Sequence, residues 1–178
     1  PLLDLHGRAR LLDVGGGPGT YSVLLAHRYP QLHCTVLDLP GVVAIAAELI
    51  RSELPDDRVK TLAGNYRETP FPGGNDIVLF FGMLHQESPA SISRLMKKAY
   101  DSLRPGGVVY VLDMMTDATH TQPPFSALFA VTMALTTENG WVFSADELRL
   151  WMEQAGFRDV AVQPAGAHMP HWLAQALR

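Results

Sequence analysis

The residues that point most directly to chemistry lie in a glycine-rich segment, Leu11 to Thr20, which reads LLDVGGGPGT. An apolar run typical of a buried parallel strand leads into it past the acidic residue Asp13, and a helical pattern follows at once. The segment must therefore turn tightly from strand to helix, where backbone amides at the helix N-terminus point outward as donors. Three positions without a Cβ would let a ligand approach this backbone closely: Gly15, Gly17 and Gly19.

The spacing of this segment favours a nucleoside over a dinucleotide. The dinucleotide fingerprint G-x-G-x-x-G has its third glycine where this chain has Thr20, and the extra glycine comes early, at Gly19. Pro18 also removes an amide donor that a pyrophosphate would use. A second apolar strand ends at Asp38, whose carboxylate could accept both hydroxyls of a ribose. The alternative for Asp38 is a helix cap before Pro40.

Four blocks of sequence together resemble a known family. They read LLDVGGGPGTYS, TVLDLP, GNYRETPFPGGNDIVLFFGMLH and SLRPGGVVYVLDMM. In this order they are similar to the catalytic domain of class I S-adenosylmethionine-dependent O-methyltransferases, the group that contains caffeic acid, acetylserotonin and bacterial polyketide O-methyltransferases. The run KKAYDSLRPGG followed by LDMMTD also resembles bacteriochlorophyllide C-methyltransferases. The resemblance therefore implies the cofactor S-adenosylmethionine and leaves open which atom is methylated.

The resemblance also implies which residues hold the cofactor. One of them departs from the family pattern, because Gly64 is followed by Asn65 where the family usually has Asp. An amide can both donate and accept hydrogen bonds, so nucleoside binding is still expected. The expected cofactor residues are Asp13, Gly15, Gly17, Gly19, Asp38, Leu39, Asn65 and Tyr66.

His85 is the expected general base, since a histidine can take a proton from an attacking hydroxyl near neutral pH. The family pattern here is His-Asp-Trp, whereas this chain reads His-Gln-Glu, so only the histidine matches. Asp113 matches the acid that orients the histidine in plant members of the family. A third acidic position of the family is Val142 here, although Glu138 lies close enough in sequence to substitute. The alternative for His85 is a solvated loop residue without a catalytic role.

Three functions remain open at this point. The first is methyl transfer to a hydroxyl of a small, aromatic metabolite. The second is methylation of a ring carbon, and the third is a domain that binds S-adenosylmethionine or S-adenosylhomocysteine without methylating. A nicotinamide-dependent oxidoreductase is disfavoured by Thr20.

The order of elements predicts an α/β fold. Strands and helices alternate, so we expect a Rossmann-like, doubly wound, seven-stranded and mostly parallel sheet with an antiparallel terminal strand. The carboxyl ends of its strands would bring together the glycine segment, Asp38, His85 and Asp113. The strands are predicted at 10–14, 32–37, 58–62, 75–81, 108–112, 159–163 and 171–177, and the helices at 20–28, 42–51, from Pro89 to before Pro105, and between Ser144 and Gly156.

Composition is consistent with one soluble, cytoplasmic enzyme domain spanning residues 1–178. A formal charge of −4 without a Lys/Arg run argues against a nucleic-acid partner, and no apolar run suggests a membrane span. The single cysteine, Cys34, indicates a reducing compartment and is expected to pack in the core. No metal is expected, because three histidines lack the spacing of ligands: His120, His168 and His171.

Two further expectations concern apolar residues. Phe125, Leu128, Phe129 and Met133 follow a helical spacing that is more typical of core than of an acceptor pocket. If an N-terminal domain is absent, part of this stripe is expected to be exposed as an apolar patch, and the resemblance implies that this region lines the acceptor pocket. Relatives in this family usually carry an N-terminal helical domain through which they dimerise. We expect Leu2, Leu3 and Leu5 to be the remnant of a helix from such a domain, and the full-length protein to be a homodimer.

Overall fold

The structure is a computed structural model that describes residues 3–166 and 169–178. Within these residues it contains seven strands, β1 (Arg10–Val14), β2 (His33–Asp38), β3 (Val59–Ala63), β4 (Asn75–Phe81), β5 (Leu103–Met114), β6 (Arg158–Pro164) and β7 (His171–Leu177). The helices are α1 (Thr20–Arg28), α2 (Pro40–Glu53), α3 (Pro89–Ser102), α4 (Pro124–Thr136) and α5 (Ala145–Ala155). A single 3₁₀ turn, Leu84–Gln86, lies between β4 and α3.

The strands form one sheet in the order β3-β2-β1-β4-β5-β7-β6. Neighbours from β3 to β5 pair in parallel, whereas β7 is antiparallel to both β5 and β6. The strand order reverses between β1 and β4, which is the point where doubly wound folds place their ligands. The predicted Rossmann-like seven-stranded sheet is confirmed.

Local sequence signals explain where the helices begin and end. Ser88 caps α3 by accepting a hydrogen bond from the Ser91 amide, and Pro89 occupies the first helical position. Ser144 and Glu147 form the predicted capping box of α5, and Gly156 ends that helix in the left-handed region. These caps fix the two helices that pack on the same face of the sheet as His85.

β5 begins five residues earlier than expected. Leu103 already pairs with Asn75, and the register then shifts before Val108 pairs with Ile77. The intervening residues include Gly106 with a φ of 77°, a conformation that glycine adopts without a steric cost. The predicted break at this Pro-Gly-Gly sequence is therefore an irregularity within the paired strand rather than its beginning.

The core lies on both faces of the sheet. β4 is buried along six of its seven residues, as expected for a central parallel strand. Cys34 packs in the cluster between the sheet and helices α1 and α2, and burial raises the pKa of its thiol to about 12. That thiol therefore stays protonated and packs, as expected.

The N-terminal segment does not form the expected helix within the described residues. Leu3 and Leu5 lie in an irregular segment, and Leu5 is completely buried in the core cluster next to β1. Leu5 is thus part of this domain's own core, because its side chain packs in the same cluster as residues of β1 and α1. Leu2 lies outside the described residues.

Candidate active site

His85 lies in the 3₁₀ turn after β4, not at the end of the strand as the sequence predicts. The strand ends at Phe81 because the backbone turns away at Gly82, whose φ is 65°. The Gly82 amide donates a hydrogen bond to the carbonyl of Leu112, which ties this turn to the end of β5. His85 is thereby brought beside Asp113, as the strand order requires.

The side chains of His85 and Asp113 form a close pair. Nδ1 of His85 lies 2.7 Å from Oδ1 of Asp113, and the backbone N–H of His85 donates to Oδ2 at 3.2 Å. The Met114 amide also donates to Oδ1, at 2.8 Å. Because an ionised carboxylate only accepts hydrogen bonds, Nδ1 of His85 is the nitrogen that carries a proton. Nε2 is then left with a free lone pair.

Burial differs sharply between the two partners. The Asp113 side chain is 1% exposed, whereas that of His85 is 15% exposed. Phe129 of α4 packs edge-on against the imidazole with a centroid separation of 5.0 Å. The His85 carbonyl accepts a hydrogen bond from the Trp141 amide at 3.0 Å. The histidine is therefore held from several sides and still reaches the surface, which contradicts the alternative of a solvated loop residue.

The glycine segment has the expected turn. Gly15, Gly17 and Gly19 all have positive φ values, and Gly19 precedes the first residue of α1. A Cβ on Gly17 would meet nothing within 4 Å, whereas one on Gly16 would lie 2.6 Å from Cγ of Asp13. Gly17 is thus the point where the backbone faces open space.

Asp13 lies beneath this turn rather than on its surface. Its side chain is fully buried, with Oδ2 accepting a hydrogen bond from the Ser22 hydroxyl at 2.8 Å. Oδ1 has no hydrogen-bond partner among the residues that the structure describes. Burial raises the pKa of Asp13 to about 6, the Ser22 hydroxyl opposes this and the charge of Asp38 adds to it. Asp13 therefore supports the turn from below.

Asp38 connects the glycine turn to the end of β2. Its Oδ2 accepts the Gly17 amide at 2.8 Å, and its Oδ1 accepts the Leu39 amide at 2.7 Å. Helix α2 begins at Pro40 with Leu39 as its N-cap and no side-chain cap bond, so the helix-cap alternative for Asp38 is wrong. Each carboxylate oxygen keeps a further lone pair, which allows it to accept a ligand hydroxyl as well.

The loop after β3 lies next to Asp38. The Gly64 amide donates to the Asp38 carbonyl at 2.8 Å, and Oδ1 of Asn65 accepts the amide of Arg67 at 3.0 Å. Asn65 and Tyr66 are both half-buried, and Leu39 is 49% exposed. The structure therefore gathers the predicted cofactor residues along one edge of the sheet, with Asp13 as the exception beneath it.

Glu87 lies in this region but is not among the functional residues predicted from the sequence. Its side chain is 1% exposed and accepts hydrogen bonds from the hydroxyls of Tyr66 at 2.8 Å and Ser91 at 2.5 Å. The guanidinium of Arg67 binds the same carboxylate, with Nη2 2.7 Å from Oε1. The available signal was an acidic residue two positions after His85, where the resembling family has tryptophan.

The third acidic position of the family has no replacement here. Val142 is buried at 3% exposure. Glu138 is exposed and, among the described residues, makes no hydrogen bond to His85. The condition for Glu138 to substitute, that its loop folds back onto the histidine, is therefore not met in this structure, and its charge instead acts on Arg67.

Apolar side chains lie near His85 and near the ends of β4 and β5. In α4, Phe125 is 58% and Leu128 is 70% exposed, and only Ser126 is buried, so the interpretation of this stripe as core is wrong. Phe129 of this helix packs against the imidazole of His85. An apolar cleft of about 310 Å³ lies near the ends of β4 and β5, lined by residues that include Tyr21, Phe81 and Leu112.

The described residues contain neither a metal-binding cluster nor a membrane-spanning helix. No group of three or more His, Cys, Asp and Glu side chains in residues 3–166 and 169–178 is arranged to hold a metal ion. His120 instead contacts Thr116 and Glu147, and His168 lies outside the described residues. No helix in the described part of the chain is long and apolar enough to cross a membrane.

Comparison with known proteins gives one family match. Residues 2–158 match the family model described as O-methyltransferase domain. Among curated proteins, 3-hydroxy-5-methyl-1-naphthoate 3-O-methyltransferase of Streptomyces sahachiroi is 32% identical over 89% of this chain and 46% of its own length. L-tyrosine C(3)-methyltransferase of Streptomyces lavendulae is 31% identical over 91% and 44%. The chain spans about half the length of the curated relatives it matches.

A solved structure shares the fold. The O-methyltransferase family 2 protein from Planctomyces limnophilus, in complex with apigenin, superposes with a TM-score of 0.87 at 30% identity. The match covers 99% of this chain and 53% of that one.

Proposed function

Because the chain belongs to the O-methyltransferase family, we propose that it binds S-adenosylmethionine and transfers a methyl group to a hydroxyl of a small aromatic metabolite. His85 is the general base in this proposal, and Asp113 orients it. The observation that carries it is the 2.7 Å contact between Nδ1 of His85 and Oδ1 of Asp113. This pair lies at the same edge of the sheet as the glycine turn.

The residues at this edge fit the cofactor. The two oxygens of Asp38 each keep a lone pair for a ribose hydroxyl. The open backbone at Gly17 suits the amino-acid tail, and Leu39, Asn65 and Tyr66 provide apolar and polar surface for a purine. Oδ1 of Asp13, which has no hydrogen-bond partner within residues 3–166 and 169–178, adds negative potential beneath the ammonium group of that tail. When bound, S-adenosylmethionine supplies an electrophilic methyl group on a sulfonium.

The role of the protein is to hold the acceptor and to move its proton. Nε2 of His85 accepts the proton of the acceptor hydroxyl, which makes the oxygen a better nucleophile. The imidazolium that results is stabilised by Asp113, which is already buried against Nδ1. General-base catalysis of this kind is worth about 10²- to 10⁴-fold in rate. Alignment of acceptor and methyl group supplies much of the remaining acceleration.

An apolar, flat acceptor is favoured by the surroundings of the imidazole. Phe129 presents its ring to His85, and α4 offers further exposed apolar side chains beside it. The names of similar proteins agree, since one relative acts on a naphthoate and one solved structure contains apigenin. Acceptors with fused or linked aromatic rings are therefore the first to test.

Methylation of a ring carbon is the second candidate function. It is favoured by the relative named as an L-tyrosine C(3)-methyltransferase, which is 31% identical. A carbon nucleophile activated by its own ring depends less on a base at the hydroxyl. The His85→Gln variant would then keep much of its activity.

Further proposals concern the whole protein. We expect the full-length protein to be a homodimer formed through a separate N-terminal domain and to act in the cytoplasm, where the thiol of Cys34 stays reduced. The third candidate, a domain that binds the cofactor without methylating, predicts tight binding and no product.

The test is methyl transfer from radiolabelled S-adenosylmethionine to a panel of phenols, naphthols and flavonoids. NMR of the product separates the candidates, because a methyl group on oxygen and one on a ring carbon have different carbon shifts. An O-methyl product supports the proposal. Only C-methyl products, or saturable cofactor binding without any product from the full-length protein, would contradict it.

A further inference from the structure

The 3₁₀ turn that carries His85 is held between two buried carboxylates. On one side, Oδ2 of Asp113 accepts the backbone N–H of His85. On the other side, Glu87 closes the turn by donating its amide to the Leu84 carbonyl at 2.9 Å. The Glu87 side chain extends from the turn to the loop that contains Asn65 and Tyr66, where its carboxylate accepts a hydrogen bond from the Tyr66 hydroxyl.

The Glu87 carboxylate is held by three side chains. The Glu87 carboxylate accepts hydrogen bonds from Tyr66 Oη and Ser91 Oγ and from the Arg67 guanidinium, whose Nε lies 2.9 Å and 3.0 Å from its two oxygens. Burial favours the neutral form, but these bonds from Arg67, Ser91 and Tyr66 outweigh it and hold the pKa of Glu87 below its ordinary value. An ionised, fully partnered carboxylate fixes the groups that surround it.

The backbone of the same loop is also held by hydrogen bonds to α3 and to the end of β2. Nζ of Lys98 in α3 donates to the carbonyls of Tyr66 at 2.5 Å and Thr69 at 2.8 Å. The Gly64 amide donates to the carbonyl of Asp38. Among the described residues, the side-chain hydrogen bonds that join the loop after β3 to the turn of the proposed base all run through Glu87.

We propose that Glu87 is a positioning residue that couples cofactor binding at the Asn65–Tyr66 loop to the placement of His85. It acts through Tyr66 and Arg67, and touches neither the methyl group nor the acceptor. The inference rests on the proposed function, because it assumes that this loop binds the nucleoside. It assigns a role to a side chain at the position where the resembling family has tryptophan.

The chain offers well-matched variants for a test. Glu87→Gln keeps the shape and removes the charge that Arg67 and Tyr66 bind. Tyr66→Phe removes one donor to Glu87 and keeps the ring, so it serves if Glu87→Gln does not fold. Ser91→Ala removes another donor from the same carboxylate on the side away from the loop. Glu68→Gln changes an exposed acid of the loop.

The first readout needs no ligand. Hydrogen–deuterium exchange of the free protein is expected to rise in residues 64–70 and 84–87 together in Glu87→Gln and Tyr66→Phe, and to stay unchanged in Glu68→Gln. Exchange that rises in neither segment, or in only one of them, would overturn the inference.

The second readout is calorimetric binding of S-adenosylmethionine. We expect Kd to rise about 10- to 100-fold in Glu87→Gln and about 10-fold in Tyr66→Phe, as expected when hydrogen bonds to a charged group are lost. Ser91→Ala is expected to lower the unfolding midpoint with Kd unchanged. If Ser91→Ala and Glu87→Gln lose the same amount of stability and show the same rise in Kd for S-adenosylmethionine, the role of Glu87 is purely structural. That result would overturn the inference. Absence of binding by the wild-type chain would instead refute the proposed function, and exchange would still decide the role of Glu87.

Discussion

Nδ1 of His85 and Oδ1 of Asp113 lie 2.7 Å apart, and a second Asp113 oxygen accepts the backbone N–H of the same histidine. This double contact fixes both the ring and the turn that carries it. Because the carboxylate accepts a hydrogen bond from the proton on Nδ1, the Nε2 nitrogen of the neutral ring is left unprotonated. The relationship has direct consequences for activity.

Replacement of His85 by Gln is expected to lower the rate of O-methyl transfer about 10²- to 10⁴-fold, because the base is lost. Cofactor binding should stay unchanged, since His85 makes no contact with the glycine turn or with Asp38 in the described residues. Steady-state kinetics with the best acceptor, beside calorimetry with S-adenosylmethionine, measures both effects. The matched control is Gln86→Ala, an exposed neighbour in the same turn. Activity that persists in His85→Gln would favour C-methylation.

Asp113→Asn is expected to lower the rate by about 10²-fold or more while leaving Kd for S-adenosylmethionine unchanged. An amide nitrogen facing Nδ1 favours the opposite tautomer of His85, in which Nε2 carries the proton and cannot act as a base. Loss of an acceptor for buried amides is also expected to cost about 1–3 kcal/mol of unfolding free energy. Kinetics and urea denaturation measure the two effects. Full activity in this variant would show that Asp113 does not orient the base.

The sequence predicts that His85 and Asp113 lie close together because both come at the ends of apolar runs whose strands end at one edge of the sheet. Strand positions follow from continuous apolar runs, so the predicted bounds of β1 and β4 match the structure and those of β2 are one residue off, whereas β5 extends beyond its predicted range at both ends. His85 itself was placed at the end of β4 and lies in a turn beyond it. The turn depends on the left-handed backbone at Gly82 and on the bond from its amide to Leu112, which no local pattern encodes.

Replacement of Asp38 by Ala is expected to raise Kd for S-adenosylmethionine about 10- to 100-fold. The variant removes the acceptor of the Gly17 amide, so the glycine turn loses its link to β2, and it also removes the proposed acceptor of the ribose hydroxyls. Calorimetric titration measures the change. The control is Glu48→Ala, which removes the same charge from an exposed position of α2. Equal affinities in Asp38→Ala and the wild type would exclude Asp38 from the site.

Asp13 is expected to make stability depend on pH. Burial raises its pKa from 3.8 to about 6, so the folded protein binds this proton more tightly than the unfolded chain does. The resulting stabilisation is fully present below about pH 4 and is lost as the pH rises through about 6. The difference in unfolding free energy between the wild type and Asp13→Asn should therefore change by about 2 kcal/mol between pH 4 and pH 7. Urea denaturation at several pH values measures it, and a constant difference would contradict the burial of an ionisable Asp13.

Two features of the site could not be deduced from the sequence for a physical reason. The burial of Glu87 depends on partners from two separate elements, Tyr66 and Arg67 in the loop after β3 and Ser91 in α3, which tertiary packing brings together. Helical spacing in α4 gives the apolar face but not what it packs against, so exposed Phe125 and Leu128 could not be distinguished from core residues.

Calorimetric titration of the chain with S-adenosylmethionine and S-adenosylhomocysteine, with NADH as the comparison ligand, tests the central claim most directly. We expect saturable binding of both sulfur nucleosides with Kd on the order of micromolar, and no binding of NADH, because the turn at Gly15–Gly19 lacks the third glycine of the dinucleotide fingerprint. Binding of NADH in preference to the sulfur nucleosides, or no binding of either, would contradict the proposal that this site serves methyl transfer.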